Sequence, residues 1–85
     1  MPELSRFLGI VIYMYYGDHP PPHFHAEYAE YEITVEIDTG AVIGKFPRRA
    51  LRLVLEWYSL HQGELAENWS WAQGKKPLRA IEPLE

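Results

Sequence analysis

The stretch His23-Phe24-His25-Ala26-Glu27-Tyr28-Ala29-Glu30-Tyr31-Glu32-Ile33-Thr34-Val35-Glu36-Ile37-Asp38 decides the fold class. From His23 to Tyr28 the residues alternate, with Phe24, Ala26 and Tyr28 on one side and His23, His25 and Glu27 on the other. Tyr31 to Asp38 repeats the pattern, setting Tyr31, Ile33, Val35 and Ile37 against Glu32, Thr34, Glu36 and Asp38. A period of two with one apolar side is the pattern of a half-buried antiparallel strand. A two-residue turn at Ala29-Glu30 sets Tyr28 opposite Tyr31, His25 opposite Thr34 and His23 opposite Glu36. In that register both apolar sets lie on one face, which supports it. The turn itself lacks the Gly or Asn that such turns favour. Glu27 then faces Glu32, a like-charge pair that calls for a lysine or a bound ion between them.

Working outward, Phe7 to Tyr16 is apolar on both alternating sides and rich in β-branched and aromatic residues, which predicts a central strand covered on both faces. Downstream, Asp38-Thr39-Gly40 is a turn signal leading into a short fourth strand, Ala41 to Phe46. Pro47 suits the first turn of a helix running to about His61. At 100° per residue, Arg48, Arg49, Arg52, Glu56 and Ser59 form one polar stripe on it, and apolar residues fill more than half of the circumference. Such a helix is either sandwiched inside the domain or shared with a partner. Gly63 marks a break before a second helix, Glu64 to Gln73, with Leu65, Trp69 and Ala72 facing inward and Trp71 outside that stripe. Pro77 to Glu85 reads as an extended tail with Leu78, Ile81 and Leu84 available for docking. The expectation is one α+β domain over residues 1–85. Its antiparallel sheet has about four strands in the order β-β-β-β-α-α, backed by two helices and followed by an extended C-terminal tail.

Composition narrows the function. Of 85 residues, 47% are hydrophobic and 14% aromatic, enough for a packed globule. There is no cysteine, which excludes disulfides, thiolate zinc sites and cysteine nucleophiles. The net charge of −4 disfavours broad adhesion to nucleic acid and leaves only a local basic patch for that purpose. The ten-residue apolar run from Phe7 to Tyr16 is too short to span a membrane and lacks the flanks of a signal peptide. The chain reads as soluble, unexported and cytoplasmic.

The chemistry concentrates in Asp18-His19-Pro20-Pro21-Pro22-His23-Phe24-His25, which holds three of the four histidines. The prolines form a stiff spacer between His19 and the other two. Four readings follow. In the first, His23 and His25 project side by side from a strand and bind a divalent metal such as zinc, iron or nickel, with Asp18, His19 or Glu36 completing the ligand set. In the second, His19, His23 and His25 perform acid–base catalysis such as RNA cleavage, and Arg48, Arg49 or Arg52 supplies a cation for phosphate. The arginines, however, share their stripe with Glu56 and read equally well as a solvated face. In the third, the domain works by binding a protein partner or a second copy, through the wide apolar arc of the first helix, Trp71 and a free sheet edge. In the fourth, Asp18 accepts backbone hydrogen bonds and the imidazoles merely fix a loop. His61 lies apart, as a packed histidine at the carboxy end of the first helix.

Met1-Pro2-Glu3, Phe7 to Tyr15, the Asp18-His19-x-Pro21-Pro22-His23-Phe24-His25 motif and Pro47 through Leu55-Glu56-Trp57 to His61 together resemble the bacterial domain-of-unknown-function family numbered 4160. Glu64-Leu65, Asn68-Trp69 and Ile81-Glu82-Pro83-Leu84 fit as well. The resemblance implies a small bacterial protein often encoded beside a second family, numbered 2442, in a toxin–antitoxin-like arrangement. It therefore implies a protein partner encoded nearby and names no reaction. The reading is of one component of a two-protein, toxin–antitoxin-like module with a histidine-rich site at 18–25. The alternative is a metal-dependent or histidine acid–base, ribonuclease-like enzyme centred on His19, His23 and His25.

Overall fold

The structure, a computed structural model, describes residues 2–84. Met1 and Glu85, the outermost residues of the expected domain and tail, lie outside the described residues. Seven elements follow one another: β1 (Glu3–Phe7), β2 (Ile10–Tyr13), β3 (His23–Tyr28), β4 (Tyr31–Glu36), β5 (Val42–Lys45), α1 (Arg48–Leu60) and α2 (Gln62–Gln73). The five strands form one antiparallel sheet in sequential order. The architecture is α+β as read from the sequence, with one strand more than the four expected.

The extra strand comes from inside the apolar run. Phe7 to Tyr16 is not one strand: Leu8 and Gly9 both take positive φ, at 53° and 84°, and turn the chain between β1 and β2. Positive φ at both central residues is what a tight hairpin between twisted strands requires. β2 is nonetheless covered on both faces, since Ile10, Ile12 and Tyr13 are all buried. The β3–β4 hairpin has the register derived from its alternation, with Tyr28 opposite Tyr31, His25 opposite Thr34 and His23 opposite Glu36. Ala29 takes φ 52° at the first turn position, where glycine is the usual residue.

One face of the sheet carries the core. Ile12, Ala26 and Ile33 share a row across three strands, joined by Phe7, Ile10, Phe24 and Val35, and α1 lays Ala50, Val54 and Trp57 onto them. Trp57 packs against both Phe7 and Phe24, with ring centroids 5.7 Å apart in each case. Pro47 precedes α1, and His61 closes it and opens α2; the break expected at Gly63 falls two residues earlier and Gly63 sits in the first turn of α2. His61 packs on Trp57 at 5.4 Å and directs Nδ1 to Glu64 Oε1 at 2.6 Å.

The tail accounts for much of the wide apolar arc on α1. Ile81 is buried and its N–H donates to the Leu4 carbonyl at 2.8 Å, while the Trp57 ring N–H donates to the Glu82 carbonyl. Leu78 and Leu84 pack against the same core, so all three apolar tail residues dock. Asn68, buried in α2, clamps Arg79 by accepting its N–H and donating to its carbonyl. Leu60, 65% exposed, remains outside this cover.

Candidate functional site

Because alternate residues of a strand point to opposite faces, burying Phe24 and Ala26 on the core side sends His23 and His25 to the other face of β3. There the row Tyr13, His25, Thr34, Ile43 crosses four neighbouring strands. The loop from Met14 to Pro22 returns over this face and brings Asp18 down onto it. α2 fixes that loop from one side: the Gly17 N–H donates to the Ala72 carbonyl and the Gln73 amide donates to the Asp18 carbonyl. Trp69 of α2 lies against the His23 ring, centroids 5.2 Å apart. The Pro20–Pro21 peptide is cis.

Asp18, His23 and His25 thereby converge, each offering one ligand atom within 4.8 Å of the others. His23 Nε2 and His25 Nε2 stand 2.9 and 3.1 Å from the same oxygen, Asp18 Oδ2. The three side chains are 17%, 12% and 20% exposed in the order His23, His25, Asp18. Asp18 Oδ1 accepts the His19 backbone N–H at 2.8 Å. Burial alone pushes the Asp18 carboxyl up; hydrogen bonds from His25, the His19 backbone and His23, with the charge of His23, outweigh it and hold the group below its ordinary value.

The proton inventory of His23 is informative. Its Nδ1 lies 2.8 Å from the Pro21 carbonyl, an acceptor only, so Nδ1 carries the hydrogen. In a neutral ring Nε2 then presents a lone pair, and it presents it to a carboxylate oxygen. The contact is satisfied by a second proton on Nε2, by a proton on the carboxyl, or by a cation that both atoms ligate. Ring N–H to carbonyl on the far side is also the arrangement that orients a metal-ligating histidine.

His25 is held by its neighbours. Tyr13 stacks on it with centroids 5.1 Å apart and planes 11° apart, and Tyr15 meets it edge-on at 4.8 Å. Its Nδ1 is buried with no hydrogen-bond partner among the described residues, and the carboxylate recorded near it is Glu32, with Oε2 at 3.7 Å. Glu32 Oε2 also accepts the Tyr13 hydroxyl. Of the Glu27–Glu32 pair across the hairpin, Glu32 thus takes a phenol hydrogen bond, and no lysine pairs with it among the described residues. Burial, followed by the hydrogen bond to Glu32 and its charge, pushes the Tyr13 phenol far up, so it stays protonated and donates.

The remaining candidates from the sequence are placed differently. His19 contributes its backbone to Asp18, and its side chain is absent from the three-residue cluster. Glu36 is opposite His23 in register but also stands outside the cluster. Both border a groove of about 240 Å³ beside the cluster, together with His23, Thr34 and Ile43. Arg48, Arg49 and Arg52 lie on α1, which packs on the opposite face of the sheet, so the sheet separates them from the histidines. Tyr13 and Glu32 were not singled out for the site from the sequence, although Glu32 lies diagonally across the hairpin from His25, within reach of a long side chain.

A five-stranded meander packed by two helices, with a histidine–aspartate cluster on the face opposite α1, defines a small α+β domain. The family model described as "Domain of unknown function (DUF4160)" matches residues 9–70, and the chain belongs to that family. The matched stretch contains Tyr13, Asp18, His23, His25 and Glu32, and stops before the tail. No curated protein and no solved structure matches the chain. No helix among the described residues is long and apolar enough to cross a membrane.

Proposed function

We propose that Asp18, His23 and His25 hold a divalent transition-metal ion and that the domain is a metal-dependent hydrolytic component. The observation that supports this is the convergence of Asp18, His23 and His25, each with one ligand atom within 4.8 Å of the others, with the far nitrogen of His23 already committed to the Pro21 carbonyl. Two imidazoles and one carboxylate are a donor set for zinc or iron(II) that leaves coordination positions open. Held by these three residues, such a cation would supply an activated water as a nucleophile at neutral pH. His19, which lines the adjoining groove, would exchange protons with a substrate bound there. The residues lining that groove include no lysine or arginine, which favours a neutral or cationic substrate over nucleic acid.

The test is elemental analysis of tag-free protein beside a His23→Ala/His25→Ala double variant. The wild type should carry up to one metal per chain and the variant none; equal and negligible metal in both, also after incubation with zinc or iron(II), would sink the reading.

The two-protein, toxin–antitoxin-like module implied by the family resemblance is a second reading, compatible with the first. Ile43, 74% exposed on the edge strand β5, favours it, since β5 has an unpaired side on which an extended segment can add. Co-purification with the product of the adjacent gene tests it, and a monodisperse monomer retaining nothing would count against it.

A further inference from the structure

The cluster accounts for Asp18, His23 and one nitrogen of His25, and leaves the other nitrogen of His25 buried and unpartnered. An orphaned polar atom in such a place carries a desolvation cost unless the working state of the site satisfies it. When Nε2 is given to a cation, the hydrogen of a neutral imidazole must sit on Nδ1, and Nδ1 then needs an acceptor. The carboxylate of Glu32 is at hand, 3.7 Å away and with its side chain half exposed, so that a movement of under about 1 Å closes the hydrogen bond. The Tyr13 hydroxyl donates to the same Oε2 while the Tyr13 ring stacks flat on the imidazole, so one side chain touches both groups.

We propose that Tyr13 and Glu32 form a positioning pair for the metal centre: Glu32 accepts the Nδ1–H of His25 when Nε2 binds the cation, and Tyr13 holds both the carboxylate and the imidazole in place. The inference rests on the metal reading above and deepens it. Each ligating histidine then has its outer nitrogen committed, His23 to the Pro21 carbonyl and His25 to Glu32. Tyr13 and Glu32 are positioning residues that touch no substrate. A carboxylate behind a ligating imidazole raises its basicity and fixes its tautomer, and removing such a partner costs about 10–100-fold in metal affinity.

The experiment is a zinc titration of tag-free protein against a chromophoric chelator, for the wild type, Glu32→Gln, Glu32→Asp, Tyr13→Phe and, as a control, Glu27→Gln. Glu32→Gln should weaken zinc binding about tenfold or more, Glu32→Asp should recover part of the loss, and Glu27→Gln should leave affinity unchanged. Nitrogen-15 NMR of the zinc-loaded wild type should show the His25 hydrogen on Nδ1, with its resonance shifted in Glu32→Gln. Tyr13 is fully buried, so if Tyr13→Phe loosens the fold the half-exposed Glu32 carries the test alone. Wild-type affinity in Glu32→Gln, with zinc bound in both, overturns the positioning pair and leaves the metal centre standing. A wild type that binds no zinc overturns both.

Discussion

Replacing Gly44 by alanine tests how tightly the edge of the sheet is built. Gly44 has φ 112°, and a Cβ there would stand 2.7 Å from the Glu32 carbonyl oxygen and 3.1 Å from Ile33 Cγ2. The first neighbour is backbone of the adjacent strand and cannot swing aside, so β5 must move away from β4. A side chain at such a φ costs roughly 1–3 kcal/mol, and forcing an extra methyl into filled space costs roughly 1–3 kcal/mol more. The expected loss is therefore roughly 2–6 kcal/mol, a large share of the roughly 4–13 kcal/mol that 85 residues ordinarily command. For a domain of this size each kcal/mol is about 4–8 °C in Tm, so Tm should fall by at least about 8 °C. Urea unfolding followed by tryptophan fluorescence should show a lower midpoint with an unchanged slope. Gly63→Ala is the matched control, since a Cβ there meets nothing within 4 Å and lies in the first turn of α2. It should stabilise by up to about 1 kcal/mol. A Gly44→Ala protein within about 4 °C of the wild type, or a Gly63→Ala protein destabilised equally, would refute the reasoning.

Further tests address the tail, the site and the edge. Asn68→Ala removes three side-chain hydrogen bonds, two of them to Arg79, and should cost roughly 2–4 kcal/mol by chemical denaturation. Proteolysis of that variant should begin in the tail, and cutting first within α1 would argue against the clamp. Because the Asp18 carboxyl is held below its ordinary value of 3.8 in the fold, its ionisation stabilises the metal-free protein above that pH. That contribution is lost as pH falls from 3.8 through the lower folded value, so the stability gap between wild type and Asp18→Asn should shrink as pH falls below 3.8. A gap that widens on acidification has the wrong sign. Ile43→Ser should change stability by no more than about 0.5 kcal/mol, since its side chain is largely in water. The same change should reduce recovery of a partner that adds to β5.

Period-two alternation made the β3–β4 hairpin legible down to its register, because slipping β4 by one residue would have turned both Ile33 and Val35 to the face opposite Phe24. The β1–β2 turn was hidden by its own residues: Leu8 is apolar, and leucine seldom accepts a positive φ. Gly9 was the available signal. Placing His23 and His25 on one face followed from the same alternation. The choice of Asp18 over His19 and Glu36 did not, because it depends on how the loop crosses the sheet and on anchors from Ala72 and Gln73, more than fifty residues later. Tyr13 needed the β2–β3 register, which a misplaced strand could not supply. The arginine stripe looked available to the histidines in sequence, and only the layering shows the sheet between them.

The bond from the Ile81 N–H to the Leu4 carbonyl ties nearly the first described residue to nearly the last. The meander needs only short, successive loop closures and can form as the chain is made, which is the fast end of folding for a sheet. The core cannot close so early. Until Ile81 and Glu82 have left the ribosome, the outer side of β1 and the ring nitrogen of Trp57 lack their partners. This domain therefore completes itself after its last strand and both helices have been synthesised. A ribosome stalled anywhere before residue 81 presents a half-covered core to chaperones and proteases.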